Sequence, residues 1–330
     1  EEAETIFTDL WKKSVPIANK DNFTEFFKKV VEKTWMYSLP APILMYLRVL
    51  EEYFMIEKPS DIKYPSAITE GHYLDFEYQK DAVNKAISVI QKHNGVIIAD
   101  VVGLGKSIIA LTVARYFNIP TIVISPPHLS DQWRNYRREF GLNAEIYTSG
   151  KIETAYEDYK TKSKEMMIII DECHKYRNEF TDTYGSLHKL CAGNKVMILT
   201  ATPFNNEPQD IFSMISLFQI PAKSTLQTTE SLAITFKRLI KEYRDIKNKK
   251  KKKEDEKILQ MEIKKLGDEI RDLVNPFVIR RTRLDLEAIE RYRRDLERQN
   301  ISFSKINPPK LMTYNLGELT SIYEWTLDQI

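Results

Sequence analysis

Residues 96–107 have the sequence VIIADVVGLGKS, and this stretch decides the fold. The apolar run from Val96 to Ala99 has the length and the β-branched content of a strand that is covered on both faces. A turn with Gly103 and Gly105 follows it, and an apolar helical pattern continues from Ile108 to Phe117. A strand, a glycine loop and a helix in this order predict a phosphate cradle, because backbone N–H groups and a helix N-terminus converge there.

Two side chains of this loop bring the chemistry of a nucleotide site. Lys106 can reach the terminal phosphates, and the hydroxyl of Ser107 can ligate Mg²⁺. The predicted ATP-binding loop comprises Gly103, Leu104, Gly105, Lys106 and Ser107. A glycine turn before a helix is common, so it is the strand-to-helix context that favours phosphate binding. The loop departs from the general pattern at Asp100, where that pattern has glycine.

A second apolar run, Met166 to Ile170, ends at two adjacent carboxylates, Asp171 and Glu172. Burying a carboxylate is costly unless it is paired or bound to a metal, so this pair indicates a metal-dependent site. We expect Asp171 to hold Mg²⁺ through water and Glu172 to orient and deprotonate an attacking water. Together with Lys106 they form the predicted catalytic set. A solvent-facing strand end is the alternative, which the phosphate loop upstream disfavours.

Two more runs, Thr121 to Ile124 and Val196 to Leu199, have the character of buried strands, with helical stretches between them. This alternation predicts an α/β domain with a parallel sheet. Thr200 and Thr202 follow the last run, and hydroxyls at this edge face the crevice where α/β ligands bind. A plain threonine-rich turn is the alternative. His174, close to the predicted base, is expected to sense the nucleotide.

Composition narrows the class of protein. The chain has 330 residues and a net charge of only +2, so the total charge does not argue for nucleic-acid binding. Its two cysteines form neither a disulfide framework nor a metal-ligand pair, which favours a reduced cytoplasmic setting. No apolar run approaches the roughly 20 residues of a membrane helix. The absence of an initial Met indicates a piece of a longer protein.

The predicted organisation has four parts. They are a helical N-terminal segment (1–70), the α/β domain (71–220), a helical, coiled-coil-like insertion (221–300) and a linker (301–330). The insertion carries a lysine run at 249–253. Such a run is either a solvated helix end or a contact with the DNA backbone.

The order of these motifs resembles the first motor domain of the superfamily 2 helicase-like ATPases, specifically the Swi/Snf-type DNA translocases. The segments that carry the resemblance are Phe76 to Gln79, Ala99 to Ser107, Ser125 to Pro127 with Gln132-Trp133, Asp171 to His174, Leu199 to Asn206, and Pro276 to Arg283. Within this family the chain is most similar to the bacterial RNA-polymerase-associated branch. Asp100 stands where this family commonly has an acidic residue, so the departure noted above supports the resemblance.

The resemblance also implies roles for further residues. Gln79 would read adenine. Thr200, Ala201 and Thr202, with His174, would couple the ATP state to the grip on DNA. The residues implied at the DNA backbone are Pro126, Gln132, Trp133, Arg280 and Arg281. From the residues alone, a tryptophan at such a place is usually core, and an arginine-rich helix face is usually solvated.

The implied function follows from the family. The implied fold is that of a RecA-like P-loop NTPase. The implied activity is translocation on double-stranded DNA with ATP and Mg²⁺, which displaces bound protein such as RNA polymerase. A monomer in the cytoplasm of a prokaryote, associated with the nucleoid and not with a membrane, is expected. One alternative is a strand-separating helicase or the motor subunit of a restriction system.

A second alternative is an ATP-gated DNA-binding scaffold without turnover, which Lys106 and Glu172 disfavour. In this family an arginine finger lies on a second motor domain, and such an arginine contributes about 10³ to 10⁵ in rate in phosphoryl transfer. Residues 1–330 alone are therefore expected to bind nucleotide weakly and to hydrolyse it poorly.

Overall fold

The computed structural model describes residues 61–161, 164–203, 207–226, 231–251 and 256–303. Most of the predicted N-terminal segment and nearly all of the predicted linker lie outside these ranges. Among the described residues, no helix combines the length and the apolar content that a membrane crossing needs.

A parallel sheet forms the centre of the described part of the chain, and the predicted α/β fold is confirmed. Its six strands there are β1 (Gly95–Ile98), β2 (Thr121–Ser125), β3 (Ala144–Thr148), β4 (Met167–Asp171), β5 (Lys195–Leu199) and β6 (Val278–Ile279). They lie in the order β3-β2-β4-β5-β1-β6. The strand that leads into the phosphate loop and the strand that ends in the carboxylate pair therefore both neighbour β5.

Helices connect the strands and cover the sheet. They are α1 (Pro65–Ile68), α2 (Glu77–His93), α3 (Lys106–Phe117), α4 (Ser130–Glu139), α5 (Ile152–Tyr159), α6 (Asp182–Cys191), α7 (Pro208–Ser216), α8 (Leu232–Lys251), α9 (Glu256–Val274), α10 (Arg283–Ala288) and α11 (Glu290–Arg298). The pair α8 and α9, called the arm below, lies in the chain between β5 and β6.

Both faces of the sheet are buried, as the unbroken apolar runs predict. In β4, Ile168 and Ile170 pack into one core with α5, α6, α7 and the arm. Met167 and Ile169 pack into a second core with α2, α3 and α4 on the opposite face. Successive side chains of a strand point to opposite faces, so each strand contributes to both cores.

The arm is helical, as its spacing predicts, and its base belongs to the protein core. Phe236 of α8 and Leu266 and Ile270 of α9 are buried against the sheet. Two lysines of α8 have acidic partners. Lys247 pairs with Glu207 at 3.0 Å and Lys249 with Glu262 at 2.7 Å.

Two strands were not expected from the sequence. β6 lies inside the predicted insertion, and it adds to the sheet edge by pairing with β1. Its two residues are too few for periodicity to reveal. β3 is half-exposed along most of its length, so it lacks the continuous apolar run that identified the others. After β6 the chain forms two short helices, α10 and α11.

Phe277 lies where the chain returns from the arm to the sheet, and its substitution tests whether this segment packs into the core. Its side chain is fully buried, and its ring contacts the rings of His93 and Phe218 at centroid distances of 5.1 and 5.5 Å. We expect Phe277→Ala to lower the free energy of unfolding by about 3–5 kcal/mol, because it leaves a cavity. Phe180 is 89% exposed, so Phe180→Ala is the control and should change stability by about 0.5 kcal/mol or less. Equal urea midpoints for the two variants would contradict the assignment.

Candidate nucleotide-binding site

The predicted phosphate loop lies between β1 and α3, at the carboxyl edge of the sheet. Gly103 and Gly105 have φ values of +90° and +79°, a region that favours glycine. A Cβ on Gly105 would also lie 2.5 Å from the side-chain nitrogen of Gln79. The backbone conformation therefore favours glycine at both positions, and at Gly105 a side chain would also displace the end of Gln79.

Lys106 is the first residue of α3, and its side chain turns back into the loop. Its Nζ donates a hydrogen bond to the backbone oxygen of Asp100 at 2.9 Å. Burial lowers the pKa of Lys106, while the nearby carboxylates of Glu172, Asp100 and Asp171 act in the opposite direction. A desolvated cation inside a glycine loop is suited to binding the phosphates of a nucleotide.

Asp171 ends β4 and is 7% exposed. Its Oδ2 accepts a hydrogen bond from Trp133 Nε1 and its Oδ1 accepts one from the backbone N–H of Glu172, both at 2.9 Å. Burial raises the pKa of Asp171 and the charge of Glu172 adds to this, whereas the hydrogen bond from Trp133 opposes it. The two hydrogen bonds therefore fix the orientation of the carboxylate, and its burial makes the charged form costly. A bound cation would offset this cost.

Glu172 follows with a backbone conformation that is uncommon for a residue with a side chain. Its φ is +50°, in the left-handed region. Such conformations cost on the order of 1 kcal/mol or more and cluster at functional sites. Glu172 Oε2 lies 3.0 Å from Nδ1 of His174, so the predicted base and the predicted sensor are in direct reach of each other.

Gln79 brings α2 into the site. It is 6% exposed, and its Nε2 donates to the backbone oxygen of Leu104 and to Tyr78 Oη, both at 3.3 Å. Its Oε1 is buried without a hydrogen-bond partner among the described residues. Buried acceptors are nearly always satisfied, and the amino group of adenine is a donor of the right kind. The residues present therefore fit the adenine end of ATP as well as its phosphates.

The threonine turn after β5 lies at the same edge. Thr200 is fully buried, and its Oγ1 accepts a hydrogen bond from the backbone N–H of Thr202 at 3.2 Å. Ala201 is half-buried and Thr202 is exposed. The rest of this motif, residues 204–206, lies outside the described ranges. The coupling role of these residues stays a prediction.

The five residues expected at DNA fall into two groups. Gln132 and Arg280 are exposed, as a DNA contact requires, whereas Pro126 is buried. Trp133 is 2% exposed and its indole N–H is bound to Asp171. The side chain of Arg281 is 11% exposed and is paired with Asp100. The DNA contact of all five residues stays a prediction, and in this structure the side chains of Trp133 and Arg281 each hold a buried carboxylate of the site.

These two supporting roles were not expected from the sequence. A signal for one of them was present, since a carboxylate at position 100, directly after a buried strand, needs a cationic partner. The partner lies far along the chain, beyond the arm, where spacing carries no information. The hydrogen bond of Trp133 to Asp171 had no signal in the sequence.

Comparison with known proteins places the chain among helicase-like ATPases. The family described as SNF2-related domain matches residues 145–308. The chain is 23% identical over 243 residues to chromodomain-helicase-DNA-binding protein 1-like of Danio rerio, covering 64% of this chain and 21% of that protein. It is 28% identical over 156 residues to the uncharacterized ATP-dependent helicase YqhH of Bacillus subtilis (strain 168), covering 41% of this chain and 28% of that protein.

A solved structure shares the fold. The SWI2/SNF2 ATPase core of Sulfolobus solfataricus, in complex with double-stranded DNA, superposes with a TM-score of 0.51 at 21% identity. The match covers 69% of this chain and 48% of that chain. The chain thus spans about half of that core and less than a third of the two curated relatives named above. The RecA-like fold is confirmed, and the RNA-polymerase-associated branch stays a prediction.

The role of Lys106 can be measured by nucleotide binding. A charge-assisted hydrogen bond contributes roughly 1.5–3 kcal/mol, so we expect Lys106→Ala to weaken ATP binding by about 10- to 100-fold. Lys160, which pairs with Glu157 on the surface, is the matched control, and Lys160→Ala should leave the affinity unchanged. Titration with a fluorescent ATP analogue reports both. Equal affinities for the two variants would refute phosphate binding by this loop.

The raised pKa of Asp171 gives a dependence of stability on pH. The folded protein binds the Asp171 proton more tightly than the unfolded chain, so Asp171 destabilises the fold increasingly as the pH rises through the interval between the two pKa values. Asp171→Asn removes this titration. We expect the variant to be at least as stable as the wild type at pH 7, with its advantage shrinking as the pH falls toward 4. Thermal unfolding over this range measures the difference.

Asp131 is the control for this experiment because its side chain is 90% exposed. The stability difference between Asp131→Asn and the wild type should change little over the same pH range. If the advantage of Asp171→Asn instead grew as the pH fell, the assigned direction of the Asp171 shift would be wrong.

Proposed function

This chain belongs to the SNF2-related ATPases as a Swi/Snf-type superfamily 2 motor domain, and we propose that the protein to which it belongs hydrolyses ATP to move along double-stranded DNA. One observation carries the proposal. Gln79, Lys106 and the Asp171-Glu172 pair all lie at the carboxyl edge of one parallel sheet, each with the burial and the contacts of a functional group.

Each residue has a defined part in the reaction. Gln79 orients the base through its unpaired Oε1, and Lys106 with the loop N–H groups binds the phosphates. Ser107 and Asp171 supply oxygen ligands of the kind that Mg²⁺ prefers. Mg²⁺, when bound, neutralises charge on the phosphates. Glu172 accepts the proton of the attacking water, and His174 lies close enough to respond to its charge.

Exposed side chains of the described surface support a DNA contact. Gln132 and three arginines of α4, Arg134, Arg137 and Arg138, are exposed, and so is Arg280 after β6. Positive charge binds the phosphate backbone without regard to sequence, which suits a protein that moves along DNA. Double-stranded DNA is bound by the Sulfolobus relative, and for this chain it is the proposed partner.

Displacement of bound protein is the proposed outcome of the movement. Coupling of ATP state to DNA grip is assigned to His174, Thr200, Ala201 and Thr202, which lie at or beside the site edge. The resemblance to the bacterial RNA-polymerase-associated branch makes RNA polymerase the DNA-bound protein to test first. A monomer is the proposed oligomeric state.

Two DNA substrates separate translocation from strand separation. With the complete protein and ATP, we expect displacement of the third strand from a triplex, because movement along a duplex removes it without opening the pairs. A forked duplex should stay paired. Unwinding of the fork would favour the strand-separating alternative, and failure on both substrates with ATP turnover intact would contradict translocation.

Glu172→Gln tests whether this site drives the movement. General acid–base groups contribute roughly 10²- to 10⁴-fold, so DNA-stimulated ATP turnover and triplex displacement should fall together by at least about 10²-fold. Nucleotide binding should persist. The control is Glu153→Gln on the exposed side of α5, which should retain full turnover. Full turnover by Glu172→Gln would refute Glu172 as the base.

A further inference from the structure

A buried ion pair links the segments that follow two adjacent strands, β1 and β6. Asp100, just after β1, is fully buried, and Arg281, just after β6, is nearly so. Arg281 Nε donates to Asp100 Oδ1 at 3.1 Å, and Nη2 of the same guanidinium donates to Oδ2. This two-pronged contact fixes the direction as well as the distance between the groups. Removing one partner of such a pair leaves an uncompensated buried charge.

The same guanidinium also contacts the segment that carries Gln79. Arg281 Nη1 donates a hydrogen bond to the backbone oxygen of Tyr78, and its central carbon lies 5.2 Å from the centre of the Tyr78 ring. Tyr78 Oη in turn accepts a hydrogen bond from Gln79. One side chain therefore touches both the adenine end and the phosphate end of the nucleotide site.

On the phosphate side, the contact reaches the loop through its first residue. The side chain of Asp100 is bound to Arg281, while its backbone oxygen accepts the hydrogen bond of Lys106 at 2.9 Å. The backbone of Arg281 also takes part, since its oxygen accepts from the N–H of Val101 at 3.2 Å. Arg281 thus holds the entry of the loop by side chain and main chain.

The helices that follow Arg281 enclose the same region. Leu286 of α10 and Leu296 of α11 pack with Leu104 of the loop and with Tyr78 in one small apolar cluster. Asp295 accepts a hydrogen bond from the backbone N–H of Glu77 at 2.8 Å, at the start of α2. The segment after the arm is therefore built onto both ends of the site.

We propose that Arg281 is a positioning residue that holds the adenine segment at Tyr78 and Gln79 in register with the phosphate loop at Asp100. The inference rests on the proposed ATP site and deepens it. ATP must contact both ends at once, and a site whose two ends are already in register loses less freedom on binding. A ligand that contacts only the phosphate loop does not need the two ends to be in register, so it gains less from Arg281 than ATP does.

Comparing ligands separates positioning from a purely structural role. ATP contacts both ends, inorganic tripolyphosphate contacts the loop alone, and GTP contacts both ends but offers Gln79 a different base edge. Loss of Arg281 should therefore weaken ATP more than tripolyphosphate and should reduce the preference for ATP over GTP. A structural role would weaken all three ligands in parallel with stability.

Two variants avoid a lone buried charge. Arg281→Lys keeps the positive charge but loses the planar fork that reaches two groups at once. The double variant Arg281→Gln with Asp100→Asn removes both charges. Arg271→Ala is the control, because Arg271 also pairs with an aspartate, Asp268, but on the exposed surface of the arm.

Binding is measured by competition against a fluorescent ATP analogue, and folding by thermal unfolding. We expect both Arg281 variants to bind ATP at least about 10-fold more weakly, to bind tripolyphosphate within about 3-fold of the wild type, and to lose preference for ATP over GTP. Arg271→Ala should match the wild type. Equal losses for ATP and tripolyphosphate, no loss, or loss of folding in both Arg281 variants would overturn the positioning role. A wild type that binds neither ATP nor tripolyphosphate would overturn the proposed function and this inference together.

Discussion

The common edge of three neighbouring strands is the constraint on which the site depends. β1, β5 and β4 are adjacent and parallel, and their register aligns Ile98 with Leu199 and Leu199 with Asp171. Because both faces are buried, a shift of one residue would exchange the two faces of a strand and is strongly disfavoured. The loop after β1, the turn after β5 and the carboxylate of β4 therefore emerge side by side without any contact that is specific to the site.

Burial of charge is the second constraint, and it works against stability. Lys106, Asp100 and Asp171 are all partly or fully removed from water. Burial without a partner would disfavour the charged form of each side chain. Trp133 and Arg281 offset this by donating hydrogen bonds to the two aspartates. The charged groups of such a site already have hydrogen-bond partners that orient them, and the desolvation that weakens the fold strengthens the interaction with an incoming phosphate or cation.

These constraints explain how far the sequence could predict the structure. The strands around Val96, Met167 and Val196 are apolar throughout, since both faces are covered, and such runs are visible in a sequence. The glycine loop and the carboxylate pair are local, so their chemistry could be inferred too. The half-exposed β3 and the two-residue β6 lack this signal. The contacts of Trp133 and Arg281 with the two aspartates were not predicted, because a sequence shows the type of a polar group but not the direction in which it points.

For Arg280 and Arg281, the alternation of side chains along an extended chain would have predicted which of the two is buried. Hydrogen bonds from Ala99 and Val101 to the oxygens of Ile279 and Arg281 continue the pairing of β6 with β1. In an extended chain alternate residues share a face, so Arg281 lies on the face of the buried Ile279 and Arg280 lies on the other. Two adjacent arginines are thus separated by the pleat of the strand into an exposed and a buried one. The decisive information is the pairing of β6, which depends on contacts across the whole arm.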